Sequence, residues 1–441
     1  MYSDSAQQLL DEHGAETGDR LRILHDGGEE QGTLMPRSDQ GNTDAIVIKL
    51  DSGYNLGIDT DQINDIEVLD SGEQPEPDQP TVPDRDPDKP DIAVLHTGGT
   101  IASRVSYREG GVKPAFDPED LLQMYPEIFD EANIDSDVIA QMLSEDMEPA
   151  HWQEIAAAVA ERREDVDGII IGHGTDTMQY TAAALSFMLE GLDIPVVLVG
   201  AQRSSDRPSS DAAMNLISAV EFIKEDIPGV FVCMHQHSSD DTAAVHRGTR
   251  VRKMHTSRRD AFQSIGAKPV ATVDYDERSV TLHDEISGPD EAFSLRDELD
   301  TDVGLLKTHP GMDPDQVRRH EDRSGLIIEG TGLGHMPVNS FDDHTQHHDD
   351  ILDAVDDLAD DSLVAMASQT ISGRVNMNVY DAGVKIRKAG VVPAANMPPE
   401  TALVKLMWSL GQTGDPDTAR DLFTQNVAGE IQDREEHDDY R

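Results

Sequence analysis

Two hydrophobic periods divide the chain. Between about residues 18 and 70, apolar and polar positions alternate through Arg20–Leu24, Gln31–Met35, Ala45–Leu50 and Asn55–Ile58, with Gly, Asp and Asn between them. Alternation with period two and frequent turn residues predicts a small β-barrel, assigned to residues 1–70. Residues 71–90 then interleave Pro75, Pro77, Pro80, Pro83, Pro87 and Pro90 with Asp and Glu, which predicts a stiff, solvated linker. From Asp91 the apolar runs become nearly continuous: Ile92–Leu95, Gly168–Ile171, Pro195–Val199 and Val230–Val232. Strands covered on both faces have this character. Helix-like stretches separate them, from His151 to Glu164, Met178 to Glu190 and Ser210 to Glu225. The alternation predicts an α/β fold, a parallel sheet with helices on both faces, over residues 91–300. The pattern resumes with Gly325–Ile328, a helix carrying Ile351, Leu352, Val355 and Leu358 on one face, Leu363–Met366, and a helix from about Pro399 to Leu410. That is a second, smaller α/β unit, residues 301–441, with a charged tail from Gln432 expected to fray.

Charge changes the picture of the surface. The 441 residues hold 35 basic side chains, ten of them Lys, against 87 acidic ones, a formal charge of -52. Such an excess repels itself in dilute buffer. At molar salt the Debye length is only about 3 Å and the repulsion is screened. The acid is spread along the whole chain, as in a halophile's cytoplasmic protein, and is not gathered in a tail for a cationic partner. Cys233, the sole cysteine, lies in the strand-like Val230–Met234, so neither an intrachain disulfide nor a thiolate zinc site is available, and a buried structural thiol is expected. The N-terminus lacks the basic and apolar regions of a signal peptide, and no apolar run nears the roughly 18 residues of a membrane helix. A soluble, cytoplasmic protein with no membrane contact is expected.

Chemistry gathers where strands end. The first buried strand leads into His96-Thr97-Gly98-Gly99-Thr100-Ile101-Ala102-Ser103, and a later one into Gly172-His173-Gly174-Thr175-Asp176-Thr177-Met178. In an open parallel sheet, ligands bind beyond the carboxyl ends of the strands, so Thr97 and Thr175 are placed to face one crevice. The glycines allow backbone N–H groups close to a substrate, as an oxyanion site requires. Alone, either motif also fits a strand–helix turn with a capping hydroxyl or a phosphate cradle. A threonine hydroxyl needs a base to become a nucleophile. Asp176 adjoins Thr175, and Lys253, between apolar Val251 and Met254, is the candidate base. Burial lowers an amine from about 10.4 and a nearby carboxylate raises it; the sequence leaves open which prevails, and a solvated surface lysine is the plain alternative.

Thr97–Ala102 and His173–Met178 resemble the two signature motifs of bacterial-type L-asparaginases, over roughly residues 91–425. The resemblance implies an asparaginase-like fold and an amidohydrolase in which Thr97 is one nucleophile candidate, its family counterpart usually taking the acyl group. Thr175, Asp176 and Lys253 are implied as a second hydroxyl–acid–lysine set that activates it or the hydrolytic water. It further implies Tyr107 on a lid, Ser144 and Glu145 gripping the substrate's α-carboxylate and α-amine with Asp176 on the α-ammonium, and Ala201 against the amide. No metal is implied. About 90 residues precede the first signature strand, and Gly32–Arg37 and Lys49–Asn55 resemble the first domain of the D subunits of archaeal glutamyl-tRNA(Gln) amidotransferases. That family's role implies glutamine hydrolysis to supply ammonia to a partner, the E subunit of the same amidotransferase, which converts Glu-tRNA(Gln) to Gln-tRNA(Gln) with ATP and Mg. It implies a homodimer within a heterotetramer. No cofactor is expected on this chain, which has no Gly-x-x-x-x-Gly-Lys-Ser/Thr loop.

The alternatives are a free-standing L-asparaginase and a non-catalytic binding protein on the same fold. A chain this acidic is expected to meet tRNA mainly through its partner, because phosphate affinity comes from Lys and Arg. Arg247–Arg252 and Arg258-Arg259 are expected to line the core or site, and His344, His347 and His348 to sit in solvent.

Overall fold

The computed structural model describes residues 2–35, 44–50, 55–71, 82–98, 103–106, 111–114, 121, 125–203, 210–284, 286–289, 291–435 and 437. Helix α1 (Asp4–Glu12) opens on Ser3, whose hydroxyl accepts the Ala6 N–H at 3.2 Å. Strands β1 (Arg20–His25), β2 (Gly28–Leu34), β3 (Ala45–Leu50), β4 (Asn55–Asp59) and β5 (Ile63–Asp70) follow. Where alternation predicts a small barrel, these strands form an antiparallel sheet in the order β4-β3-β2-β1-β5. One face carries Leu21, Ile23, Leu34, Ile46, Ile48, Ile58 and Ile66, which pack with Ala6 and Leu10 of α1. Residues 72–81 of the expected linker lie outside the described residues. Its last part lies on the next unit: Asp86 N–H donates to Asn133 Oδ1 at 2.9 Å, and Lys89 Nζ to the Phe129 carbonyl at 2.9 Å.

The central unit comprises β6 (Asp91–Gly98), the hairpin β7 (Ser103–Ser106) and β8 (Gly111–Pro114), α2 (Ile128–Glu131), β9 (Asn133–Met142), α3 (Pro149–Arg162), β10 (Gly168–Gly172), α4 (Met178–Met188), β11 (Leu189–Glu190), β12 (Pro195–Val199), α5 (Ala212–Ile223), β13 (Gly229–His235), β14 (Thr242–Arg247), β15 (Val251–Lys253), β16 (Phe262–Ser264), β17 (Ala271–Asp274), β18 (Ser279–Leu282) and β19 (Ser294–Leu295). Its main sheet runs β18-β17-β14-β13-β12-β10-β6-β9. From β13 to β9 the strands are parallel, but β14, β17 and β18 join antiparallel. The sheet is therefore mixed, not wholly parallel. Only residues 236–241 separate β13 from β14, enough for a hairpin, whereas a parallel return needs a crossover of about a dozen residues or more.

The continuous apolar runs follow from two covered faces. Ile92, Val94, Ile170, Val197, Phe231 and Cys233 point into a core with α2 and α5. The intervening Ala93, Leu95, Ile169, Ile171, Val196, Leu198, Val230 and Val232 point into one with α3 and α4. Cys233 is fully buried, and that burial pushes its thiol upward, so it is a packing residue.

The C-terminal unit contains β20 (Val303–Lys307), α6 (Pro314–Arg318), β21 (Gly325–Gly330), α7 (His348–Asp361), β22 (Leu363–Ser368), α8 (Asp381–Lys388), β23 (Val392–Pro393), α9 (Pro399–Thr413) and α10 (Pro416–Thr424). Its sheet is parallel, β20-β21-β22-β23. The second face of this sheet packs on a helix of its own unit and continues into the central one. Ile327, Leu363 and Ala365 share a core with α9 and with α4 of the central unit, where Phe187 stacks on Trp408 at 5.6 Å. Helix α9 ends at Gly414, whose φ of 61° is the left-handed cap glycine accommodates. The tail expected to fray is attached at Gln432, whose N–H donates to Asn396 Oδ1, and at Glu435, which accepts the Gly373 N–H at 3.1 Å.

Three histidines, His96, His173 and His246, are held neutral by burial, each lowered to about 4. Between pH 6.5 and 4 the unfolded chain binds a proton at each of these sites and the folded chain does not, so stability is present above 6.5 and lost as pH falls. Each contributes a loss of up to about 3 kcal/mol across that window. Urea midpoints measured from pH 7 to 4 should fall steeply, and replacing His246 by Gln should flatten the fall; an unchanged slope would refute this origin.

Candidate active site

The parallel strands from β9 to β13 follow the order 2-1-3-4-5, with β6 first in the chain. The switch in direction lies between β6 and β10, where such sheets leave a crevice beyond the strand ends. Thr97 stands at the end of β6 and Thr175 just beyond β10. Both are buried, and the Thr97 hydroxyl donates to the Gly172 carbonyl at 3.0 Å.

Neighbouring strand ends close the walls. Gly98 has φ +106°, and a Cβ there would lie 2.3 Å from the Met142 carbonyl oxygen, so only glycine lets β6 pass the end of β9 so closely. That approach brings Ser144 to the second motif: its hydroxyl accepts the Asp176 N–H at 3.3 Å, and its carbonyl accepts the Thr177 hydroxyl at 2.6 Å. Ser144 is buried in a 3₁₀ turn and Glu145 in the same turn is exposed. From β12, Gly200 comes so near that an added Cβ would sit 2.7 Å from Thr175 Cγ2, which places the following Ala201, also buried, beside the crevice.

Lys253 arrives from 78 residues beyond Thr175. Its Nζ donates to Thr175 Oγ1 at 2.9 Å and to Asp176 Oδ1 at 2.6 Å. The lysine side chain is 10% exposed and the aspartate 64%. The amine is thus largely enclosed while the carboxylate reaches solvent, and a substrate can meet Asp176 without displacing the lysine. Thr175, Asp176, Lys253 and Ser144 are joined by direct hydrogen bonds; Thr97 is tied to the same strand end through Gly172. Tyr107 lies outside the described residues.

Several supporting residues lie outside the expectations drawn from the sequence. His173 bridges the Gly174 carbonyl at Nδ1, 2.6 Å, and the Thr181 hydroxyl at Nε2, 2.8 Å. Since a carbonyl only accepts, Nδ1 carries the proton and Nε2 accepts from Thr181. That neutral bridge fixes the loop bearing Thr175 to α4. Asp211 accepts the N–H groups of Gln202 and Arg203 at 3.0 and 2.9 Å, and Asn215 donates to the Gly200 carbonyl at 2.9 Å, bracing the turn that holds Ala201. His173 sits inside a motif and could have been inferred; Asp211 and Asn215 lie on an ordinary helix start.

The arginine-rich stretch spends its charge internally. Arg247 pairs with Asp284, Arg252 with Glu400, Arg258 with Asp260 and Arg259 with Asp240. His348 faces the Asn339 carbonyl at 2.9 Å, His344 is exposed, and the described residues hold no group of three or more His, Cys, Asp or Glu able to bind a metal. Among the described residues no helix is long and apolar enough to cross a membrane.

Residues 91–287 match the family described as Asparaginase, N-terminal, residues 302–423 the Glutaminase/Asparaginase C-terminal domain, and residues 15–69 the GatD N-terminal domain. The D subunit of the glutamyl-tRNA(Gln) amidotransferase of Methanopyrus kandleri is 46% identical over 98% of this chain and 95% of its own length. That of Halobacterium salinarum is 45% identical over 95% of this chain and 97% of its own. The L-asparaginase of Thermococcus kodakarensis superposes with TM-score 0.71 at 34% identity, covering 78% of this chain and all (100%) of that one. L-asparaginase I of Vibrio cholerae gives TM-score 0.67 at 27% identity over 78% of this chain and 99% of its own.

Replacing Lys253 by Ala should lower ammonia release by about a thousandfold with the melting temperature nearly unchanged, since Asp176 is solvated without it. Gly200→Ala should push Thr175 aside and cost about a hundredfold. Turnover assays beside thermal melts check both; an active Lys253→Ala variant would break the assignment.

Proposed function

The chain belongs to the family of glutamyl-tRNA(Gln) amidotransferase D subunits, and from that premise we propose that it is the glutaminase component, releasing ammonia from glutamine with a threonine nucleophile. The observation that carries this reading is the Lys253 amine at 2.9 Å from the Thr175 hydroxyl and 2.6 Å from the Asp176 carboxylate, at the strand end where Thr97 also stands. In it Thr97 Oγ1 adds to the side-chain amide carbon of glutamine. The C–N bond breaks, the nitrogen leaves as ammonia with the proton released by Thr97, and a glutamyl ester remains. Water then adds to the ester carbon, and its proton passes along the Thr175 hydroxyl and the Lys253 amine to the departing Thr97 oxygen. Thr97 leaves as the alcohol and glutamate is freed. Asp176 holds the lysine ammonium and, with Glu145, faces the substrate's α-ammonium. Ser144 takes the α-carboxylate and Ala201 lies against the amide.

The ammonia passes to the E subunit of the amidotransferase, which uses ATP and magnesium to amidate Glu-tRNA(Gln); no cofactor is assigned to this chain. A cytoplasmic homodimer carrying two such partners completes the proposal. Residues 15–69 favour it over a free-standing L-asparaginase, because the solved L-asparaginases cover only 78% of this chain while the D subunits span the N-terminal unit as well.

Two outcomes are expected. Ammonia release by the chain alone should be weak and should rise on adding the E subunit with misacylated tRNA; full turnover without them would favour the free-standing enzyme. In Thr175→Val the glutamyl ester should accumulate, and peptide mass analysis should place it on the segment containing Thr97. An adduct on the Thr175 segment of a Thr97→Val variant would reverse the two roles.

A further inference from the structure

Charged side chains that take no part in the hydrolysis are buried behind the site: Arg250 is 1% exposed, Lys405 and Glu430 are each 0% and Glu400 is 8%. Replacing a buried ion pair by apolar residues of similar size is often neutral or stabilising, so stability alone explains such a cluster poorly. Its location supplies another reason. Strand β15, which ends in Lys253, is only three residues long and among the described residues pairs with β16 alone. It therefore has little sheet of its own to set its height against Thr175; beyond the burial of Val251 and the Arg252–Glu400 pair, its ties gather at its base, the turn of residues 248–250.

This base is tied to the C-terminal segment. Arg250 Nη1 donates to the carbonyls of Asn396 at 2.7 Å and Glu430 at 3.0 Å. The Thr249 hydroxyl donates to the Ala428 carbonyl at 3.2 Å, and the Thr249 carbonyl accepts the Thr401 hydroxyl at 2.9 Å. The segment is fixed in turn by Glu430, whose carboxylate accepts the N–H groups of Val427 at 3.0 Å and Ala428 at 2.7 Å and pairs with Lys405 of α9. Lys405 Nζ also reaches the Gln425 carbonyl. On the other side of the base, Gly248 fits against α4, where an added Cβ would lie 2.8 Å from Ser186 Oγ. The arms of this clasp come from α4, α9 and the chain end, and the strand between them carries the amine.

We propose that Arg250 is a positioning residue for Lys253, and that the segment Gln425–Gln432, anchored by Lys405 and Glu430, holds β15 at the height where the amine meets Thr175 and Asp176. A shift of β15 of the order of 1 Å would leave the substrate-binding residues in place and detach the base from the hydroxyl. The loss would then fall on turnover, not on binding. This inference rests on the role given to Lys253 above.

The test uses the full chain with its amidotransferase partner and misacylated tRNA at molar KCl, following glutamine hydrolysis. Arg250→Met should lower kcat by about tenfold or more with KM within about twofold, and Arg250→Lys, which keeps donors to both carbonyls, should recover most of kcat. The paired change Thr249→Val with Thr401→Val leaves the buried charges alone and should lower kcat several-fold in a chain that melts a few degrees lower and stays folded in the assay. It decides the matter should Arg250→Met not fold. Wild-type kcat in the threonine pair, or parallel damage to kcat and KM in Arg250→Met that Arg250→Lys does not repair, would overturn the proposal. An inactive wild-type complex would instead overturn the glutaminase assignment.

Discussion

The contact on which the site depends is the short span between the Lys253 amine and the Thr175 hydroxyl, 2.9 Å. A threonine alcohol is no nucleophile and no proton relay without a base in reach. Here the amine belongs to a different strand from the hydroxyl, so the contact exists only if the sheet, α4 and the returning strand β15 all hold their relative heights. The residues around it limit that movement. Gly98, Gly174 and Gly200 each sit where an added methyl would strike a neighbour within 2.7 Å or less, so the strand ends are packed as closely as backbone permits.

The C-terminal unit belongs to that constraint. Its sheet closes its second face on a core shared with α4, and its final segment reaches back to the turn beneath β15. Interiors packed to this density transmit small displacements without absorbing them. The two α/β units are thus separable as sequence families yet share one core behind the catalytic groups.

Charge imposes a second constraint. With 87 acidic and 35 basic side chains, the chain cannot spare cations for a broad anionic partner. Of the six Lys and Arg from Arg247 to Arg259, five are paired with Asp284, Glu400, Asp176, Asp260 and Asp240, and Arg250 is buried against the carbonyls of Asn396 and Glu430. Phosphate binding would require breaking such pairs, which fits a division of labour in which the tRNA is held elsewhere.

What the sequence determined by itself was local: which runs are covered on both faces, where strands end, and which hydroxyls, acids and glycines stand at those ends. Period-two alternation located the N-terminal strands, and the apolar runs of Ile92–Leu95 and Gly168–Ile171 located Thr97 and Thr175 beyond them, because burial on one face or two leaves a direct imprint on residue order. The places of Thr97, Thr175 and Asp176 were legible for that reason, Lys253 stood out as an amine between apolar neighbours, and likeness to known motifs added Ser144 and Ala201. Tertiary structure decided the rest. The antiparallel strands β14, β17 and β18 of the main sheet, the strand order of β1 to β5, and the attachment of Gln432 and Glu435 depend on partners distant in the chain. So does the burial of Arg250, which in sequence is one more arginine in a basic stretch. Whether a lysine between Val251 and Met254 lies in water or against a threonine is settled by the height of a three-residue strand, and no local pattern encodes that height.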